Sequence, residues 1–96
     1  MAWFKCYIAG ENFPGAIIGE DNLVGFYTTR YAEASSSAEA EIVALAILRQ
    51  DQSMKLPEGA VPSHEARVYF EKVEEVEVDE VPKSQGQGFT FYRMGT

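Results

Sequence analysis

One cysteine, one histidine and eight basic residues against fifteen acids leave this 96-residue chain short of the groups that most catalytic and metal-binding proteins use. Cys6 alone cannot close an intramolecular disulfide, and small secreted domains usually carry several, so a reducing compartment is expected. Cys6 and His64 together fall well short of the four ligands of a structural zinc site, and no metal or cofactor is expected. No stretch approaches the roughly 18 apolar residues of a membrane span. The start, Met1-Ala2-Trp3-Phe4-Lys5, lacks a basic segment leading into an apolar one, which points to the cytoplasm and away from membranes. A net charge of −7 without a basic stripe repels phosphate backbones, so nucleic acid is not an expected partner. Neither G-x-G-x-x-G nor G-x-x-x-x-G-K-[ST] occurs, which leaves phosphate cradling unsupported.

What the chain does have is ordinary for a folded globule: 46% apolar residues and 12% aromatics. Its length suits one domain, residues 1–96, with a core near the lower size limit. Trp3 to Ala9 alternates Phe4, Cys6 and Ile8 against Trp3, Lys5 and Tyr7, the period of a strand. A loop from Gly10 to Asn22 follows, in which Phe13-Pro14-Gly15-Ala16 fits a type II turn and Ile17-Ile18 a short strand piece. Leu23 to Ala34 is rich in strand formers. Ser36 and Glu39 have capping-box spacing and open a helix over about 38–48, with Arg49 complementing its C-terminal dipole. From Arg67 a long strand loses its parity, and a β-bulge or break near 71–75 reconciles Val68 and Phe70 with Val73. After the connector 83–88 comes an aromatic strand, Phe89 to Met94. The expected architecture is α+β: a mainly antiparallel four-stranded sheet, chain order β-β-α-β-β, with one helix packed on a face.

The helix is unusual in being apolar on nearly every side. Nine of the eleven residues 38–48 are Ala, Ile, Val or Leu. One sheet covers one side of such a helix, so two or three of Val43, Leu45, Ile47 and Leu48 are expected to face water unless a second subunit covers them, and a homodimer is expected.

Candidate sites are few. Residues 65–80 hold seven acids against Arg67 and Lys72, which concentrates five of the seven net negative charges there. Glu75, Glu77 and Asp79, alternating on one strand face, would form a carboxylate row that engages a basic protein, or else guard a sheet edge against aggregation. The 10–22 loop offers Glu11, Asn12, Glu20 and Asp21 to a ligand. Trp3, Phe4, Tyr7, Phe89, Phe91 and Tyr92 form an aromatic set large enough to line a pocket beside that loop. Cys6 as a nucleophile with His64 as base requires an exposed, acidified thiol, whereas its place between Phe4 and Ile8 implies an inert, buried one. Arg30 in the second strand is expected to pair with Glu33 or another acid. These features favour a non-catalytic protein-interaction module over an enzyme. The alternative is a small-molecule binding protein or small enzyme with a pocket between the aromatic sheet face and the 10–22 loop.

Overall fold

The structure is a computed structural model that describes residues 1–51, 54–60, 62–83 and 88–94. The described residues form four strands, β1 (Ala2–Phe13), β2 (Val24–Ala34), β3 (Arg67–Val76) and β4 (Thr90–Arg93), and one α-helix, α1 (Ser37–Arg49), between β2 and β3. All strand pairs are antiparallel, and the sheet order is β3-β1-β2-β4. The α+β class and the chain order β-β-α-β-β match expectation, and the sheet order places β1 and β2 in the middle. Because both β2 and β3 run antiparallel to β1, the path through α1 carries the chain over β1 to its far edge. The connector predicted over 83–88 lies mostly outside the described residues.

Two bulges set which side chains face the helix. Between the pairs Gly10↔Phe26 and Phe13↔Val24, β1 holds Glu11 and Asn12 where β2 holds only Gly25. This extra residue lets β1 run on to Phe13 instead of ending at Ala9, and it turns Phe13 toward the helix side. Asn12 takes φ 58°, a region that asparagine tolerates, and its N–H donates to Met94 Sδ at 3.0 Å. The second bulge is the one expected near 71–75. Phe70 pairs with Ile8 and Lys72 with Tyr7, so Glu71 is the unpaired residue. Val73 thereby joins Val68 and Phe70 on the helix side, and Val76 moves to the opposite side beside Trp3.

The turn after β1 differs from expectation. Gly15–Ile18 form a 3₁₀ turn, so Ile17 and Ile18 are not a strand piece. Pro14 has the φ −60° and ψ 127° of a type II turn's second residue, but Gly15 does not follow with positive φ. Positive φ falls instead on Gly19, at 75°, which caps the turn.

Ser36 accepts a hydrogen bond from the Glu39 N–H at 3.2 Å and starts α1 as expected. The return half of the capping box is shifted by one residue, because the Glu39 carboxylate accepts from Ser35 N–H at 3.1 Å and Ser35 Oγ at 3.0 Å. Ala40, Ala44 and Leu48, one turn apart, are buried on the sheet, and the two alanines let the helix backbone approach closely. Val43, Leu45 and Ile47 are half-buried and Leu48 is fully covered, so the residue that faces water is Ile42, 71% exposed, between exposed Ala38 and Ala46.

Arg30 is the largest fully buried side chain. It reaches from the middle of β2 to Asp51 just past α1, with Nη2 2.9 Å from Oδ2, and also donates to Thr28 Oγ1 and, at 2.8 Å, to the Thr29 carbonyl. Its guanidinium lies 4.9 Å from the Phe89 ring centre. The expected acid partner is therefore Asp51 rather than Glu33, which is exposed on the other side of the sheet.

Candidate functional site

Strand alternation sorts the aromatic residues by chemistry. All six phenylalanines belong to the helix side: Phe4 and Phe26 in the core, with Phe13, Phe70, Phe89 and Phe91 packed against it. Phe26 is fully buried with edge contacts to Phe13 at 5.1 Å and Phe89 at 5.4 Å between ring centres. All five tyrosines and the tryptophan lie on the opposite face. The register proves it: Trp3, Lys5, Tyr7 and Ala9 stand across from Glu33, Tyr31, Thr29 and Tyr27 on one side and from Val76, Glu74, Lys72 and Tyr69 on the other. Tyr92 stands across from Gly25 and stacks on Tyr27 with centres 5.3 Å apart. The six-residue aromatic set read from the sequence therefore splits in two. Phe4, Phe89 and Phe91 are core, and Trp3, Tyr7 and Tyr92 are on the open face.

Among the described residues no helix covers this second face. Tyr27 is 48% exposed and Tyr69 42%. At its centre Lys5 Nζ sits 5.0 Å from the Tyr7 ring centre and 6.0 Å from that of Tyr31, with Lys72 6.0 Å from the Tyr7 ring. Hydrogen bonding to Tyr7 raises the Lys5 pKa above its ordinary value. Lys72 pairs with Glu74 at 3.1 Å, and the Tyr7 hydroxyl donates to Glu74 at 3.2 Å; Lys72 first and Tyr7 second hold the Glu74 carboxyl below its usual range. Tyr92 shifts the other way, raised first by burial and then by Tyr27, Glu11 and Glu71. A recess of about 620 Å³ opens on this face, lined by Tyr7, Tyr27, Thr29, Glu71 and Thr90 with Gly88 beside them. None of residues 10–22 borders it.

The residues singled out from the sequence lie elsewhere. β3 ends at Val76 and a 3₁₀ turn covers Val78–Glu80, so Glu75, Glu77 and Asp79 do not alternate along one strand. Glu75 is exposed opposite Phe4, Glu77 precedes the turn without a side-chain capping bond, and Asp79 lies within it. Glu11 is the strand partner of Arg67, Asn12 is in the bulge, Glu20 pairs with Arg93 at 3.3 Å, and Asp21 is exposed in the loop. These four do not converge on the recess. Composition does not separate the open-face residues from the core, because it counts all aromatics as one class. The signal was the parity of tyrosine and tryptophan against phenylalanine within each strand.

Cys6 is fully buried between β2 and β3, and His64 is exposed. Burial, with a smaller contribution from Glu41, pushes the Cys6 thiol up from 9.0 to about 11. Native protein should therefore react slowly with a thiol reagent at neutral pH, with the rate still climbing as pH approaches about 11. The raised pKa also means that the folded state favours the protonated thiol, so this contribution to stability is present below pH 9.0 and is lost as pH rises toward about 11. Labelling at neutral pH as fast as in denaturant would contradict this placement.

The chain matches no protein-family model, no curated protein and no solved structure. What the fold defines is an α+β sheet with one face closed by a helix and the other lined with tyrosines.

Proposed function

We propose that this protein is a non-catalytic interaction module that binds a basic partner protein through the tyrosine-lined face of its sheet. The observation that carries the reading is the partition of aromatics, every phenylalanine toward the helix and every tyrosine and the tryptophan away from it. A sheet face meant only for water alternates to plainly polar residues. Tyrosine and tryptophan are the residues enriched at protein interfaces, where a rigid apolar ring and a polar tip suit surfaces that are wet when free and dry when bound. Glu75, Glu77 and Asp79 add negative charge at the end of β3, where they would steer a basic partner. The expected homodimer is carried forward with the Ala38, Ile42 and Ala46 stripe as its contact, which leaves the tyrosine face free.

Tyr27 and Tyr69 are nearly half exposed and lie outside the core, so their joint replacement by alanine should lower the unfolding midpoint but leave the chain folded. The same change should abolish capture of the partner. A partner retained at wild-type affinity by this variant would overturn the reading.

A further inference from the structure

On the reading just proposed, we infer that the recess beside Tyr7 and Tyr27 is a socket for an arginine side chain of the basic partner. Its lining brings Tyr7, Tyr27, Glu71, Thr29 and Thr90 together beside Ile8, Thr28 and Phe89, and none of the described lining residues is cationic. These are π faces and acceptors, the complement of a planar guanidinium, which stacks on a ring while donating to a carboxylate. Glu71 is the extra residue of the β3 bulge, so its place at the recess follows from the sheet's own irregularity. The protein already uses this chemistry internally, since Arg30 lies 4.9 Å from the Phe89 ring centre and Lys5 lies 5.0 Å from that of Tyr7. Lys72, the other cation near Tyr7, is paired with Glu74 at 3.1 Å. The whole chain carries a net charge of −7, which attracts a basic segment to the protein at long range. Lysine, a compact point charge without a flat surface, fits a lining of tyrosines and a carboxylate less well.

The test is a nuclear magnetic resonance titration of the full chain with acetyl-Gly-Arg-Gly-amide and with its citrulline twin, which keeps the shape and loses the charge. The arginine peptide should move the resonances of Tyr7, Tyr27, Thr29 and Thr90 and bind about tenfold more tightly than the citrulline peptide, the sum of a cation–π contact and a charge-assisted hydrogen bond. Glu71 is exposed, so Glu71→Gln should fold normally and reduce arginine binding to the citrulline level. A second variant, Tyr27→Leu, should weaken both peptides. Equal affinity for the two peptides, or shifts confined to residues 75–80, would overturn the socket. If the Tyr27 and Tyr69 double variant still loses its partner in that case, the open-face reading stands without the socket.

Discussion

Phe26→Ala is expected to cost about 3–5 kcal/mol, a large share of the roughly 5–15 kcal/mol that holds a domain of this size together. Phe26 is fully buried: Phe13, Phe89 and Phe91 surround its ring, and Gly10 lies directly across the strand pair. A Cβ at Gly10 would stand 2.1 Å from the ring carbon Cε2. The glycine is therefore the floor on which the phenylalanine lies, and Gly10→Ala should itself cost about 1–3 kcal/mol through overpacking. The two effects are coupled. In a Phe26→Leu background, Gly10→Ala should cost clearly less than it does alone, because the ring it collides with is gone. Chemical denaturation of the four proteins measures the cycle, and a strictly additive result would contradict the packing described. The open face repeats the device, with Tyr92 lying over Gly25, whose added Cβ would stand 2.3 Å from the tyrosine Cζ.

Asp51→Ala should destabilise by about 3 kcal/mol, whereas Arg30→Met should cost about 1 kcal/mol or less, although Arg30 is the more buried of the two. Removing Asp51 takes a counter-charge from a guanidinium that is 1% exposed; removing Arg30 leaves a carboxylate that is 22% exposed and still reaches water. Methionine also keeps apolar contact with Phe89, and Thr28 Oγ1 keeps its bond to the Gly88 carbonyl at 2.6 Å. The pair ties the end of α1 to the middle of the sheet and to the segment entering β4. Thermal unfolding of both variants compares them, and the reverse order would contradict the uncompensated-charge account.

The parts of this fold that depend on local pattern were legible in the residues. The alternation of Phe4, Cys6 and Ile8, the Ser36 cap and the parity slip of Val73 each left a signal within a few positions, and each corresponds to an observed feature. The bulge at Glu11 and Asn12 leaves none, because it exists only in register with Gly25, and so the alternation predicts β1 ending at Ala9, four residues short of Phe13. Pro14-Gly15 predicts a type II turn by local preference, whereas the 3₁₀ turn depends on close packing in which a Cβ at Gly15 would stand 2.0 Å from the Asn22 carbonyl oxygen. Asp51 lies 21 residues from Arg30, and only the path of α1 brings them together. The acidic run at Glu75, Glu77 and Asp79 is conspicuous in the sequence, while the open face is assembled from five tyrosines spread over four strands.

Site-specific photo-crosslinking is the most direct test of the claim that the tyrosine face binds the partner. With benzoylphenylalanine at position 27 on the open face, and separately at position 42 on the outside of α1, crosslinks to the partner should form from position 27. Crosslinks to a second copy of the chain should form from position 42. Partner crosslinks from position 42 with none from position 27 would contradict the assignment of the open face.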